Sequence, residues 1–265
     1  MSENTQKFKT WGILWDVLAQ RLVNLIGITE GATVLDVGTG GGSTLLAALE
    51  RVGPSGKVIG VDKEPEWVEH VNSEIERCNC TGSKVHLMDA TEMSFPDNHF
   101  DFVISGFMGW KRHFDFMKIE FTGPNRVMQE IVRVLKPSGK VGISTWLFQE
   151  DTEWMEDFVN SYSHPAKRTY SKENIEGWEK IIDNSGLIKT SVLHESVEIP
   201  YSSVDAWWDE MMSYDWKSQI LELSDLKDIP VEVIKKAAFD QVEPHRSGDE
   251  VCFVRRVLYA LGCKE

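Results

Sequence analysis

The sequence predicts a doubly wound α/β fold, in which helices cover both faces of a mostly parallel sheet. Two observations support this prediction. Short apolar segments alternate with helical segments over the first 145 residues, and connections of that length join parallel strands by right-handed crossovers. Four glycines within residues 38–42 directly follow the first apolar segment, at the place where such a sheet binds ligands.

The first element is predicted to be a helix over residues 10–27, because apolar side chains recur there at helical spacing and Gly27 closes the pattern. Strands and helices then alternate. The predicted strands are Thr33–Val37, Lys57–Val61, Lys84–Met88, Phe100–Ser105 and Lys140–Thr145. The predicted helices are Ser43–Arg51, one that begins at Pro65, and Pro124–Leu135.

The last third of the chain leaves this alternation. Its predicted elements are a helix over Ser171–Asn184, an extended segment over Leu187–Ile199, mostly helical structure over residues 203–240 and a final strand over Val251–Leu261. The helical stretch begins at the capping pattern Ser202-x-x-Asp205. An insertion between two late strands is expected to form a helical cap over the carboxyl edge of the sheet.

Composition limits the partners and the compartment. A net charge of −14 without any basic block argues against binding to a nucleic acid, which depends on clustered Lys and Arg. The N-terminus does not resemble a signal peptide and no apolar run is long enough to cross a bilayer, so we expect a cytoplasmic protein without a membrane partner. The four cysteines lack the spacing of a disulfide framework or a zinc site, and we expect no metal.

The glycine run indicates a ligand that comes close to the main chain. Glycine loses more conformational entropy on folding than any other residue, so a cluster of four needs a reason. Gly38, Gly40 and Gly42 would let the chain turn sharply, with N–H groups of the next helix pointing into the site. A tight strand–helix turn without a ligand is the alternative interpretation.

Acidic residues at the ends of the next two strands indicate which ligand this is. Asp62 is placed to accept both hydroxyls of a ribose, and Asp89 can accept from an adenine amine while the Ala90 N–H meets a ring nitrogen. Each carboxylate alone could serve as a helix cap or turn residue, but Asp36 makes three at successive strand ends. A nicotinamide dinucleotide is disfavoured because the pattern G-x-G-x-x-G would need glycine where the chain has Ser43.

These motifs resemble those of the Rossmann-like (class I) S-adenosylmethionine-dependent methyltransferases. The matching segments are Leu35-Asp36-Val37-Gly38-Thr39-Gly40-Gly41-Gly42, Val61-Asp62, Met88-Asp89-Ala90, Phe95-Pro96-Asp97-Asn98-His99-Phe100-Asp101 and Val132-Arg133-Val134-Leu135-Lys136-Pro137-Ser138-Gly139. The segment from Phe95 to Asp101 is similar to the subgroup that includes quinone-biosynthesis and many other small-molecule methyltransferases. The resemblance implies a seven-stranded sheet with an antiparallel final strand.

The resemblance also implies a cofactor, S-adenosylmethionine, with S-adenosylhomocysteine as product. The implied cofactor-binding residues are Asp36, Gly38, Thr39, Gly40, Asp62, Lys63, Asp89, Ala90 and Ser105. The expected domains are an N-terminal helical segment at 1–30, the cofactor-binding core at 31–200, a helical insert that caps the acceptor site at 201–245, and the final strand of the core at 246–265.

The methyl acceptor is expected to be a small molecule. Ten tryptophans suggest an aromatic-walled pocket for an apolar or cationic acceptor, although ordinary core packing is the alternative for each of them. The candidate substrate-binding residues are Trp11, Trp110, His113, Trp146 and Trp207. His113 and Asp115 are the nearest candidates for a general base, and no catalytic residue is assigned.

Two other functions remain open at this point. The chain could be a regulatory module that binds S-adenosylmethionine without transferring a methyl group, or, less in keeping with Ser43, an NAD-dependent oxidoreductase. The helices over 203–240 could cover the active site or pair with a second subunit to form a homodimer.

Overall fold

The computed structural model describes residues 13–80, 82–162, 173–213 and 216–265. Helices and strands alternate through the first of these ranges and into the second. The helices are α1 Ile13–Ile26, α2 Ser43–Val52, α3 Pro65–Arg77, α4 Arg126–Val134, α5 Glu150–Ser161, α6 Ile175–Asp183, α7 Val204–Ser213, α8 Trp216–Lys227 and α9 Val231–Gln241. The strands are β1 Thr33–Val37, β2 Lys57–Asp62, β3 Lys84–Leu87, β4 Phe100–Gly106, β5 Phe114–Asp115, β6 Glu120–Phe121, β7 Leu135–Gln149, β8 Ile188–Tyr201, β9 Arg246–Ser247 and β10 Glu250–Cys263.

The chain divides into two compact units. The first comprises Met1–Thr145, Glu173–His194 and Leu258–Glu265, and the second comprises Trp146–Lys172 and Glu195–Val257. Strands β7, β8 and β10 contribute residues to both units.

The main sheet has the strand order β3-β2-β1-β4-β7-β10-β8, with β9 paired to β10. Strands β3, β2, β1, β4 and β7 are parallel, and the order reverses at β1, which has β2 on one side and β4 on the other. The beginning of β7 meets the end of β10, where Ser138 N donates to Lys264 O at 2.9 Å and Lys264 N donates to Gly139 O at 2.9 Å. The final strand is therefore antiparallel, and the predicted Rossmann-like fold is confirmed.

The number of strands differs from the prediction. Within the part of the chain that the structure describes, the main sheet has eight strands instead of seven, because the two-residue β9 pairs antiparallel with the beginning of β10. The two-residue strands β5 and β6 form a separate hairpin. Segments this short carry no periodic pattern of side chains, so their sequence does not predict strand.

The core of the first unit explains why the central strands consist of apolar runs. Val34, Leu35 and Val37 of β1 and Val103 and Ile104 of β4 are fully buried. Parallel strands are covered by helices on both faces, so consecutive residues, and not alternate ones, have to be apolar.

The second unit contains a buried charged cluster. Arg255 forms an ion pair with Asp151, and both side chains are at most 2% exposed. The Tyr201 hydroxyl donates to Asp151 Oδ2 at 3.1 Å, and the Arg255 guanidinium lies 5.3 Å from the centre of the Trp146 ring. Removal of one partner of such a pair strongly lowers the free energy of unfolding, because the other charge stays buried without compensation.

The beginning of α7 corrects one detail of the prediction. Ala206 N donates to Ser203 Oγ at 3.1 Å, so Ser203, and not Ser202, caps this helix. The two serines are adjacent, and the choice between them depends on where the chain enters the helix.

Arg133 explains why two of the family-like segments occur together. Its guanidinium donates to Met93 O at 2.7 Å, to Phe95 O at 2.6 Å and to Asp97 Oδ1 at 2.8 Å. It also donates twice to the Glu130 carboxylate, at 2.7 and 2.8 Å. The arginine thereby ties the loop before β4 to helix α4.

Replacement of Arg133 by methionine is expected to lower the free energy of unfolding by about 2–3 kcal/mol, because two carbonyls and two carboxylates lose a charged donor. Arg126→Met, at the exposed beginning of the same helix, is the matched control and should change stability by less than about 0.5 kcal/mol. Urea unfolding measures both values. Equal urea midpoints for the two variants would show that the hydrogen bonds of Arg133 contribute nothing to stability.

Candidate functional site

A cleft of about 780 Å³ opens in the first unit at the carboxyl ends of β1, β2, β3 and β4. Its wall consists of residues 38–44, 61–64, 88–91, 106–109 and 111–113, together with Trp15, Ala19, Trp67 and Val127. The volume lies in the range of about 300–1,000 Å³ that is usual for small-molecule sites. The cleft lies where the strand order reverses, which is the ligand-binding place of this fold.

The glycine run has two roles in this wall. A Cβ at Gly38, whose φ is +73°, would lie 2.6 Å from Met108 Cγ, so this glycine permits a close approach within the protein. Gly40 also has a positive φ, +49°, but the one atom that a Cβ there would approach within 4 Å among the described residues is the Gly38 carbonyl oxygen, at 4.0 Å. The second glycine therefore keeps the cleft open beside the main chain.

Asp62 fixes this glycine turn. Its Oδ2 accepts a hydrogen bond from Gly40 N at 2.8 Å, and its Oδ1 accepts one from Glu64 N at 3.0 Å. Each carboxylate oxygen can accept further hydrogen bonds, so Asp62 is an oriented acceptor at the cleft wall. Lys63 follows it at the exposed rim, 3.8 Å from the Glu64 carboxylate.

Asp89 is a second oriented acceptor in the wall. Its Oδ1 accepts from Thr91 N at 2.8 Å and from Thr91 Oγ1 at 2.7 Å. These bonds are the main reason why the pKa of Asp89 lies below its usual value, so the side chain is ionised at neutral pH. Ala90 lies beside it in the wall.

Two of the predicted cofactor residues lie behind the wall instead of lining it. The Ser105 side chain is fully buried and donates to Val37 O at 2.9 Å, which joins β4 to β1. Asp36 is 1% exposed, and neither of its carboxylate oxygens has a hydrogen-bond partner among the residues that the structure describes. A direct contact of either residue with a cofactor stays a prediction.

Burial raises the pKa of Asp36 to about 7. The neighbouring Thr39 hydroxyl opposes this shift, and the negative charge of Asp62 adds to it. Since the side chain is half ionised near neutral pH, Asp36 places partial negative charge directly behind the glycine turn.

Of the two candidate bases, only His113 lies in the wall of the cleft. Partial burial lowers its pKa below the usual value of 6.5, against the raising effect of Asp89, so the imidazole is mostly neutral at pH 7. Asp115 instead caps the turn of the β5–β6 hairpin, where its Oδ1 accepts from Met117 N at 3.0 Å and from Lys118 N at 3.1 Å.

The cleft wall does not include Trp110, one of the predicted substrate tryptophans. Trp110 is 1% exposed and packs edge-on against Trp178, with ring centres 5.2 Å apart. Trp146 and Trp207 belong to the second unit, where Trp207 is fully buried. Trp11 lies outside the described residues.

Other apolar side chains line the cleft. Trp15 and Phe107 both line the cleft and pack edge to face, with ring centres 5.1 Å apart. Met108 and Trp67 line it too. The sequence signal for Phe107 and Met108 was their position directly after a strand that ends at the ligand edge of the sheet.

The described ranges show neither a metal site nor a membrane span. There, no three His, Cys, Asp or Glu side chains are grouped so that they could hold a metal ion. None of the helices in those ranges combines the length and the apolar character that a bilayer crossing requires.

The raised pKa of Asp36 predicts how stability depends on pH. The buried side chain prefers the neutral form, so the cost of ionising it is absent below about pH 4, grows between pH 4 and 7 and is complete above pH 7. Relative to Asp36→Asn, the wild type should lose about 2 kcal/mol between about pH 5.5 and pH 8.5. Urea unfolding of both proteins at the two pH values measures this, and a constant difference would contradict the prediction.

A family model described as a methyltransferase domain matches residues 28–212. Nocamycin O-methyltransferase of Saccharothrix syringae is 31% identical over 127 residues, which cover 48% of this chain and 42% of that protein. Demethylmenaquinone methyltransferase of Geobacillus sp. (strain WCH70) is 33% identical over 116 residues, which cover 44% of this chain and 46% of that protein. The chain thus spans about half the length of these relatives.

The fold also matches a solved structure. The crystal structure of the YcgJ protein from Bacillus subtilis superposes with a TM-score of 0.59 at 19% identity, over 94% of this chain and 99% of that one. At this identity the match supports the fold. The family model, which covers well over half of the chain and includes the glycine turn, Asp62 and Asp89, shows that the protein belongs to the methyltransferase-domain family, as its motifs predicted.

Proposed function

We propose that the protein is an S-adenosylmethionine-dependent methyltransferase that acts on a small-molecule acceptor. The observation that carries this proposal is the hydrogen bond between Gly40 N and the Asp62 carboxylate, which holds bare main chain and an oriented acceptor together at the cleft wall. Family membership supports the reaction class. Two matched relatives are named as methyltransferases of nocamycin and of demethylmenaquinone, which supports a small acceptor.

The residues of the cleft fit this cofactor. Asp62 would bind the ribose hydroxyls, and the ionised Asp89 with the Ala90 main chain would bind the adenine edge. The open space beside Gly40 leaves room for a ligand against the main chain. Asp36, half ionised behind the turn, favours a ligand that carries positive charge, as a sulfonium does.

Bound S-adenosylmethionine supplies a methyl group on an electrophilic sulfonium centre. The protein has to orient the acceptor and exclude water, and orientation alone contributes about 7–11 kcal/mol in well-aligned reactions. Trp15, Phe107 and Met108 form an apolar wall suited to both tasks. Where the acceptor loses a proton, the neutral His113 imidazole can take it at a ring nitrogen.

The decisive experiment combines binding and turnover. Calorimetry with S-adenosylmethionine, S-adenosylhomocysteine and NAD should show binding of the first two only. Formation of S-adenosylhomocysteine should then be measured with a panel of amines, phenols and quinone precursors. Binding without turnover on any acceptor would favour a regulatory module, and binding of NAD in their place would contradict the proposal.

Gly40→Ala should weaken S-adenosylhomocysteine binding at least about tenfold, because the methyl group enters the open space beside the turn. Gly186→Ala is a matched control: its φ is +80° and a Cβ there would meet no atom of the described residues within 4 Å, but it lies outside the cleft. Both variants should lose about 1–2 kcal/mol of stability, since both place a side chain in the left-handed region. Equal affinities in the two variants would remove Gly40 from the proposed site.

A further inference from the structure

Glu173 is a buried carboxylate to which the sequence assigned no role. It lies just before α6 in the first unit and is 6% exposed. Its Oε1 accepts a hydrogen bond from Trp110 N at 3.1 Å. Its Oε2 accepts from Thr145 Oγ1 and from Trp178 Nε1, each at 2.8 Å. Three donors compensate the cost of burying the carboxylate, so the side chain has a defined position.

Glu173 is not needed to cap its own helix. Asn174 does that, since its side-chain oxygen accepts from Gly177 N at 2.8 Å. The Glu173 carboxylate instead connects the segment that follows β4 with Thr145 of β7.

This connection fixes the cleft wall at a second point. Phe107 N donates to Ser144 O at 2.8 Å, which attaches the beginning of the wall segment directly to β7. Three residues later, Trp110 N is attached through Glu173 to Thr145, the residue after Ser144. Met108 and Gly109, which line the cleft, lie between the two attachment points.

The position of His113 follows from the same attachment. Trp110 O accepts from His113 N at 2.8 Å and from Phe114 N at 3.0 Å, so the turn that presents the imidazole begins at Trp110. Asn174, which caps α6, supports the residues that follow, since its Nδ2 donates to Phe116 O at 2.8 Å. A shift of Trp110 would therefore move the wall on both sides of it.

We propose that Glu173 is a positioning residue, which holds residues 107–113 in the shape that the cofactor and acceptor require. The inference rests on the proposed function of the cleft. Glu173 itself does not line the cleft and acts through Trp110.

Glu173→Gln tests this, because it keeps the size of the side chain but replaces one acceptor oxygen with an amide NH2 group. That group would face the N–H and O–H donors that the carboxylate now accepts from. Hydrogen exchange in a peptide covering 106–113 should become about tenfold faster or more, while exchange in α4 stays unchanged. S-adenosylhomocysteine should bind about tenfold more weakly. Glu179→Gln, an exposed position on α6, is the matched control and should change neither value.

Thr145→Val provides a second variant, since it removes one donor to the carboxylate and leaves the Trp110 bond in place. It should give a smaller increase in hydrogen exchange over residues 106–113 and a smaller loss of affinity for S-adenosylhomocysteine. Unchanged exchange and unchanged affinity in folded Glu173→Gln, or in Thr145→Val if the first variant does not fold, would overturn the proposal. Faster exchange throughout the first unit would do so as well, because it would show a general loss of stability.

The two proposals fail in different ways. A wild-type protein that binds neither S-adenosylmethionine nor S-adenosylhomocysteine would refute the proposed function. The exchange comparison between Glu173→Gln and Glu179→Gln would still decide whether Glu173 positions the segment.

Discussion

The hydrogen bond from Gly40 N to the Asp62 carboxylate is the constraint on which the cleft depends. It joins the turn after β1 to the end of β2, and it holds the main chain in a left-handed conformation that glycine adopts at little cost. The same carboxylate accepts from Glu64 N, so one side chain fixes the main chain that follows β1 and the main chain that follows β2. Asp62 can therefore be in place before a ligand arrives, which reduces the ordering cost of binding.

Two buried carboxylates of the first unit show how hydrogen-bond donors decide the role of an acid. Glu173 accepts from three donors and connects Trp110, after β4, with Thr145 of β7 and Trp178 of α6. Asp36 has no donor to its carboxylate among the described residues, and its pKa is raised to about 7. A satisfied carboxylate makes its surroundings rigid, whereas an unsatisfied one responds to pH and to a nearby positive charge.

The aromatic residues also fall into two groups that differ in their surroundings. Trp110 and Trp207 are buried core residues, while Trp15 and Phe107 face the cleft. The apolar side chains that line the cleft of the first unit therefore include residues other than the tryptophans predicted to bind the acceptor. Under the proposed function, selectivity for the acceptor depends on Trp15, Phe107 and Met108 and on the segment that Glu173 is proposed to position.

Sequence alone determined the fold class, the family and the places of Gly40, Asp62 and Asp89. In this fold ligands bind at the edge formed by the carboxyl ends of the strands, and the chain order together with local motifs shows which residues follow those ends. It did not determine that Asp36 and Ser105 lie behind the wall, that Trp110 is buried, that β9 adds an eighth strand or that Glu173 contacts Trp110. Burial and hydrogen-bond partners join residues far apart in the chain, as the 63 positions between Trp110 and Glu173 illustrate. No local pattern encodes such a contact, so only the tertiary structure decides it.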